Sequence, residues 1–198
     1  IAARYGAPPM TDITAQKRAA AFAAADLVQD GMRLGLGSGS TFLFVLERLQ
    51  ERMKKEKLRI SGVPTSVGTA QAAQKHGVPL LSMVEVDELD LAIDGADEID
   101  GNKCMIKGGG AALTREKIVA AAAREMVVIV DESKLVPVLG ARFPLPVEVL
   151  QFGWKQSVRA IEATGCVATL RRTKTDDPVV TDNGNYVLDC KYEGIADP

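Results

Sequence analysis

Short apolar segments alternate with longer segments of helical character along the first two thirds of this chain. The four strand-like segments are Met32–Leu36, Leu58–Val63, Asp90–Asp94 and Met126–Val130. The predicted helices cover residues 12–29, a segment ending at Glu51, Val67–His76 and Ala112–Arg124. Strands that alternate with helices form a mainly parallel sheet, because each right-handed crossover carries a helix onto one face. The sequence therefore predicts a Rossmann-like α/β fold with helices on both faces.

The pattern changes after about residue 139. The segments Leu145–Leu150, Trp154–Thr164 and Cys166–Leu170 predict a further strand, helix and strand. An Asn-Gly pair within Val179–Leu188 is typical of a hairpin turn. We therefore predict a large α/β domain over residues 1–139 and a smaller α+β domain over residues 140–198.

Composition excludes several classes of function. The chain has 24 Lys and Arg against 26 Asp and Glu, whereas a nucleic-acid surface requires a basic excess. Apolar runs such as Met126–Val130 are too short to span a bilayer, and the sequence shows neither a polybasic stretch nor a leader, so no membrane partner is expected. One histidine, His76, and three widely separated cysteines argue against a metal centre and favour free thiols in a reducing compartment. We expect a cytoplasmic protein whose chemistry uses carboxylates and lysines.

A glycine-rich loop, Gly37-Ser-Gly-Ser-Thr41, follows the first strand. Backbone N–H groups and hydroxyls at the start of a helix can bind an anion. The loop lacks the Gly-Lys-Ser/Thr of a nucleotide P-loop, and Ser40 stands where the dinucleotide motif requires glycine. By itself, the loop fits a small phosphate ester and a strand-to-helix turn without a ligand equally well.

Two carboxylates come at the end of the third strand. Asp94 ends an apolar segment and Asp97 follows closely, so both are expected to face the cleft at the carboxyl edge of the sheet. A calcium loop is excluded, because placing Gly101 at its sixth position puts Ala96 where a carboxylate is needed. The acids of this stretch expected to lie in solvent are Asp87, Glu88 and Asp100.

A lysine and three glycines precede the fourth predicted helix. Consecutive glycines are costly to order, so Lys107-Gly-Gly-Gly110 fits a backbone that wraps closely around a ligand. Lys107 would place a positive charge beside a developing oxyanion. Glu116 lies in the first turns of the helix, where the helix dipole favours an acid in any protein, and by itself it is better explained as a structural residue.

Taken together, these motifs resemble ribose-5-phosphate isomerase, type A. The matching segments are Gly37-Ser-Gly-Ser-Thr41, Asp94-Gly-Ala-Asp97, Lys107-Gly-Gly-Gly110, Thr114-Arg-Glu116, Asp131-Glu-Ser-Lys134, Phe143-Pro-Leu-Pro-Val-Glu-Val149 and Val180-Thr-Asp-Asn-Gly-Asn185. Their order and spacing cover nearly the whole chain. The resemblance implies an aldose–ketose isomerase that interconverts D-ribose 5-phosphate and D-ribulose 5-phosphate through an enediolate, without a metal or a cofactor. It also implies a homodimer or homotetramer.

The resemblance assigns roles to individual residues. Glu116 would be the proton acceptor, Lys107 with nearby backbone N–H groups would stabilise the oxyanion, and Asp94 would open the ring and move hydroxyl protons. The residues implied in substrate binding are Lys17, Ser38, Gly39, Ser40, Thr41, Asp94, Gly95, Ala96, Asp97, Lys107, Gly108, Gly109, Gly110 and Lys134. Ser38 stands where the family commonly has threonine. The chain ends where the family continues, so a C-terminal truncation is expected.

Two alternative functions stay open at this point. A non-catalytic sugar-phosphate sensor of related fold would keep the phosphate loop without needing Glu116 or Asp94, although residues 1–31 show no basic helix-turn-helix. A sugar-phosphate deaminase or lactonase would be expected to use a histidine, and His76 lies outside every motif above.

Overall fold

The computed structural model describes residues 12–195 together with Asp197 and Pro198. Its helices are α1 (Ile13–Ala25), α2 (Ser40–Glu56), α3 (Val67–Lys75), α4 (Leu113–Ala121) and α5 (Trp154–Glu162). Its strands are β1 (Arg33–Leu36), β2 (Ser61–Pro64), β3 (Leu91–Asp94), β4 (Glu98–Ile99), β5 (Met105–Ile106), β6 (Met126–Val128), β7 (Leu145–Val149), β8 (Val167–Leu170) and β9 (Tyr186–Lys191). Within this part of the chain, no helix is both long and apolar enough to cross a membrane.

Contacts group the described residues into two compact units. The first unit comprises the described residues up to Gly95 together with Arg115–Ser133. The second comprises Ala96–Thr114 together with the described residues from Lys134 onward. The domain division expected at residues 139 and 140 stays a prediction.

The first unit contains a four-stranded sheet in the order β2-β1-β3-β6, and all of its pairings are parallel. Successive residues of a strand face opposite sides of a sheet. Leu34 and Leu36 of β1 pack in a core with residues of α1 and α2. A Cβ placed on Gly35, between them, would lie 2.6 Å from Cγ1 of Val119 on α4. Helices therefore cover both faces of a parallel sheet, which confirms the predicted α/β architecture.

Capping residues determine where two helices of this unit begin. The carboxylate of Asp12 accepts the N–H of Thr14 at the start of α1, and the hydroxyl of Ser66 accepts the N–H of Thr69 at the start of α3. The strands between the helices all run in one direction, so their carboxyl ends meet at one edge of the sheet. The residues that follow β1, β2 and β3 are thereby brought to the same place.

The second unit contains a small antiparallel sheet in the order β7-β9-β8, next to α5. Its core includes Leu170, Leu188 and two free cysteines, Cys166 and Cys190. Burial is the main cause that raises the pKa of Cys190 to about 12, and the nearby thiol of Cys166 contributes to the same shift. The predicted smaller α+β part is confirmed in its secondary structure, and the expectation of free thiols holds for all three cysteines.

The hairpin predicted around Asn183-Gly184 is wrong in its first strand. β9 pairs with β7 and β8, whereas the segment before the turn contributes only an isolated bridge between Val180 and Tyr186. The segment closes on itself, because the N–H of Thr181 donates to the carbonyl of Asn185. The side chains of this segment bind a carboxylate, which is described below, and its backbone does not extend a strand.

Helix boundaries also differ from prediction, most clearly in α2. This helix extends to Glu56, five residues beyond the predicted end at Glu51. Ion pairs four residues apart stabilise the extension, with 2.9 Å between Arg52 and Glu56 and 2.6 Å between Lys55 and Glu51. Lys57 then ends the helix with a left-handed backbone.

Candidate active site

The loop after β1 presents polar groups at the carboxyl edge of the parallel sheet. Gly39 has a φ of +96°, a conformation that favours glycine, and it directly precedes Ser40, the first residue of α2. Gly39 and Ser40 are exposed, and Thr41 is half-buried. The Nζ of Lys17 on α1 lies 3.4 Å from the Oγ of Ser40. The structure thus places a cation and two hydroxyls at the N-terminus of a long helix, an arrangement that suits an anion.

A network of four hydroxyl groups supports this loop. The Oγ of Ser38 lies 2.8 Å from Oγ1 of Thr65, 3.0 Å from Oγ of Ser66 and 3.1 Å from Oγ1 of Thr69. Thr65 and Thr69 donate their own protons to the backbone carbonyls of the two residues before Ser38. The sequence analysis did not identify this role. The position of these hydroxyls at the end of a strand next to β1 is the signal that could have identified them.

Asp94 lies at the end of β3, and its side chain is held by the backbone. The residue is 4% exposed. Its Oδ1 accepts the N–H of Ser38 at 3.0 Å and the N–H of Gly95 at 2.8 Å. A Cβ on Gly37 would lie 2.3 Å from the same oxygen, so a side chain there would displace the carboxylate. Glycine at position 37 is therefore required by the close approach of the loop to Asp94.

Glu116 lines the same pocket as Asp94. It lies in the first turn of α4 and is only 7% exposed. The pocket is also lined by Gly37, Thr65 and Val119. An acid that merely complements a helix dipole lies at the surface, whereas Glu116 is directed into the protein. The structure therefore brings together two of the three predicted catalytic residues, both within the first unit.

The lysine–glycine loop lies in the second unit, between β5 and α4. Gly108 has a φ of +107°, and a Cβ on it would approach Pro146 to 3.0 Å. The carbonyl of Gly108 accepts the N–H of Ala111, which closes a turn over the three glycines. The N–H of Gly109 donates to Oδ2 of Asp97 at 2.7 Å. Asp97, which follows β3, and the glycine loop are thus joined by a hydrogen bond.

Two acids that the sequence analysis did not single out also shape the second unit, one of them buried and the other half-buried. Glu98 is 2% exposed, and its carboxylate accepts backbone N–H groups of Gly140, Arg142 and Phe143 at 2.7–2.8 Å. This carboxylate fixes the segment that leads into β7. Because acids are rarely fully buried unless paired, only the burial revealed by the fold distinguishes Glu98 from its acidic neighbours.

Glu148 on β7 is the second of these acids. Its Oε1 accepts hydrogen bonds from Thr181, Asn183 and Asn185 at 2.7–3.1 Å. Burial alone would raise the pKa of Glu148, but hydrogen bonds from Thr114 and from these three side chains outweigh it and lower the pKa below its ordinary value. Glu148 therefore connects the loop 181–185 with the start of α4.

The predicted site residues divide between the two units as follows. The first unit contains Lys17, Ser38, Gly39, Ser40, Thr41, Asp94, Gly95 and Glu116. The second contains Ala96, Asp97, Lys107, Gly108, Gly109, Gly110 and Lys134. Lys107, Ala96 and Lys134 are half-buried, and Lys134 ends a short 3-10 turn, Glu132–Lys134. Asp100, expected in solvent, instead accepts the N–H groups of Asn102 and Cys104 and closes a turn.

Comparison with known proteins gives one consistent result. The sequence profile of ribose 5-phosphate isomerase A (phosphoriboisomerase A) matches residues 61–198. A ribose-5-phosphate isomerase A of Synechococcus sp. (strain JA-3-3Ab) is 54% identical over 183 residues, which is 92% of this chain and 80% of the relative. The ribose-5-phosphate isomerase A 1 of Oceanobacillus iheyensis is 52% identical over 182 residues, again 92% of this chain and 80% of the relative.

Solved structures agree with the sequence matches. A D-ribose-5-phosphate isomerase in complex with phospho-erythronic acid has a TM-score of 0.91 and 41% identity, covering 95% of this chain and 83% of its own. The ribose 5-phosphate isomerase A of Methanocaldococcus jannaschii has a TM-score of 0.90 and 41% identity, covering 94% of this chain and 83% of its own. On the agreement of profile, sequence and fold, this chain belongs to the ribose 5-phosphate isomerase A family.

Proposed function

We propose that this protein interconverts D-ribose 5-phosphate and D-ribulose 5-phosphate, the aldose–ketose step of the non-oxidative pentose phosphate pathway. Membership of the family supports the proposal. The observation that carries it is the pair of buried carboxylates, Asp94 and Glu116, lining one pocket. Isomerisation between neighbouring carbons requires a base and a second proton-transferring group held in position. Two carboxylates provide both without a metal or a redox cofactor.

The phosphate of the substrate is assigned to the loop after β1. Ser40 and Thr41 offer hydroxyl donors, and the first N–H groups of α2 add backbone donors. The ammonium group of Lys17, 3.4 Å from the Oγ of Ser40, supplies a compensating positive charge. Ser38, whose hydroxyl lies within the hydroxyl network, and Gly39 give the loop its shape.

The proton transfer is assigned to Glu116. Its carboxylate removes the proton from C2 of the open-chain aldose, and the electron pair of that C–H bond forms the C1–C2 double bond of an enediolate. The C1 carbonyl oxygen then carries the negative charge. Delivery of a proton from Glu116 to C1, with movement of a hydroxyl proton from O2 to O1, leaves the C2 ketone. A buried carboxylate suits this role because few water molecules compete for the proton.

Ring opening and the hydroxyl proton transfers are assigned to Asp94. The N–H groups of Ser38 and Gly95 both donate to Oδ1 of Asp94, and these two hydrogen bonds fix the orientation of the carboxylate. A base whose geometry is fixed before the reaction does not have to be ordered during it.

The remaining substrate contacts are assigned to the second unit. Lys107 and backbone N–H groups of the glycine loop would stabilise the enediolate oxyanion, a contribution of about 3 kcal/mol for one donor in other enzymes. Asp97, with Gly95 and Ala96 before it, would bind sugar hydroxyls, and Lys134 would reach the substrate from the segment after β6. We further propose a homodimer or homotetramer, and a cytoplasmic location in keeping with three free cysteines.

The direct test is formation of ribulose 5-phosphate from ribose 5-phosphate by the purified protein. We expect turnover, and in D₂O we expect exchange of the C2 proton with solvent. Unphosphorylated ribose is the matched control and should be converted poorly. Binding of ribose 5-phosphate without turnover or exchange would refute the proposal and indicate the non-catalytic sensor.

A further inference from the structure

Arg171, immediately after β8, is a partly buried cation outside every predicted motif. Its side chain is 14% exposed and forms a two-pronged ion pair with Asp189 on β9, with 2.9 Å between Nε and Oδ2. Its remaining nitrogen, Nη1, donates to the carbonyl of Gly108 at 2.9 Å and to that of Gly109 at 3.1 Å. Asp189 therefore orients the guanidinium, and Nη1 of that guanidinium donates to two successive carbonyls of the glycine loop.

These two hydrogen bonds determine the direction of two N–H groups. A trans peptide places its carbonyl and its N–H on opposite sides, and no described peptide bond is cis. The carbonyl of Gly108 points to Arg171, and in agreement the N–H of Gly109 points the other way, to Asp97. The carbonyl of Gly109 also points to Arg171, so the N–H of Gly110 is directed away from the guanidinium as well.

Arg171 also affects the strength of these donors. A hydrogen bond from a charged group to a carbonyl is stronger than a neutral one, and hydrogen bonds through a shared peptide polarise each other. A guanidinium on the carbonyl side therefore makes the N–H groups of Gly109 and Gly110 better donors. Glycine permits many peptide orientations, so without such an anchor the loop would sample several.

We infer that Arg171 is a positioning residue for the isomerisation, which fixes the glycine loop so that the Gly110 N–H is ready to donate to the enediolate oxyanion. The inference rests on the proposed function. Arg171 itself does not contact the substrate. It acts through the two peptide groups, and a loop displaced by about 1 Å can reduce a rate about 100-fold.

The test compares Arg171→Met, Arg171→Lys and Arg172→Met. The first removes all donors and should lower kcat about 10- to 100-fold with KM within about threefold, because the oxyanion exists only during the reaction. Lysine keeps the charge but lacks the fork needed for Asp189 and both carbonyls, so an intermediate kcat is expected. Arg172, which donates to the carbonyl of Asp176 in an exposed turn, is the matched control and should leave kcat unchanged.

Amide hydrogen exchange provides a readout independent of activity. Peptides spanning Lys107–Leu113 should exchange faster in Arg171→Met, while those of β1 and β3 should not change. A role in stability alone would lower the melting temperature without altering kcat of the folded enzyme. If Arg171→Met does not fold, kcat and hydrogen exchange are compared between Arg171→Lys and the wild type instead. An inactive wild-type protein would refute the proposed function, whereas an active wild type with unchanged kcat in the Arg171 variants would overturn this inference alone.

Discussion

Replacing Glu116 with glutamine separates the catalytic from the structural explanation of this residue. Glutamine has the same size and fits the same helix position, but it cannot accept the C2 proton. Because Glu116 is only 7% exposed and lines a pocket with Asp94, solvent cannot readily replace it as the base. A positioned base contributes about 10²- to 10⁴-fold to a rate, or about 3 to 5.5 kcal/mol of barrier at 1.36 kcal/mol for each factor of ten.

Folding and binding should be affected little by this substitution. The exchange conserves volume and keeps a polar group of the same shape at this position. We therefore expect a free energy of unfolding within about 1 kcal/mol of the wild type. Phospho-erythronic acid, the ligand of a solved relative, is a suitable probe for binding and should bind with similar affinity.

The assay measures kcat, KM and exchange of the C2 proton in D₂O for the variant, the wild type and Glu125→Gln. Glu125 is an exposed acid shortly after α4, so its variant controls for loss of a negative charge near the same helix. We expect loss of both turnover and exchange in Glu116→Gln only. A folded Glu116→Gln protein with kcat within about threefold of the wild type would refute the reasoning and move the base to Asp94.

Three further predictions follow from the described contacts. Gly37→Ala should strongly reduce kcat and lower stability by about 1–3 kcal/mol, because its Cβ would lie 2.3 Å from Oδ1 of Asp94; unchanged activity and thermal unfolding would contradict this. Alanine at both Ser40 and Thr41 should raise KM for ribose 5-phosphate at least tenfold with an intact circular dichroism spectrum, and equal turnover of ribose by the parent enzyme would disprove the phosphate assignment. Glu148→Gln should lose about 1–2 kcal/mol at pH 7 in urea unfolding, since its carboxylate accepts three side-chain hydrogen bonds. The pKa of Glu148 is lowered by folding, so its contribution is present above about pH 4.5 and is lost as pH falls through the folded-state pKa; the difference between wild type and variant should shrink there, and a constant difference would exclude this origin.

Much of the site could be located from the sequence because parallel strands bring their carboxyl ends together. The apolar segment ending at Asp94 predicted a carboxylate facing the cleft at that edge, and the structure places Asp94 at the end of β3 with 4% of the residue exposed. The glycine loop at Gly37–Thr41 was likewise predicted between a strand and a helix. For Glu116 the residues alone favoured a structural role, and only the full set of motifs, through the family they resemble, indicated a base. The roles of these residues stay predictions until the variants are measured.

Secondary structure was predicted less well where side chains compete with backbone pairing. The Asn183-Gly184 pair predicted a hairpin, yet the side chains of Thr181, Asn183 and Asn185 donate to Glu148, and the segment before the turn does not join the sheet. The end of α2 was missed for a related reason, since charged residues rather than apolar ones sustain its last turns.

The sequence by itself determined the order of strands and helices, the parallel sheet and the loops that carry the candidate site, because apolar periodicity and glycine placement are local signals. Only the tertiary structure decided which polar side chains hold those loops in shape. Arg171 reaches a glycine carbonyl 62 residues away, and Ser38 meets Thr69 across 31 residues of chain. No local pattern records such contacts, because they arise when packing brings distant segments together and buries polar groups that must then find hydrogen-bond acceptors and donors.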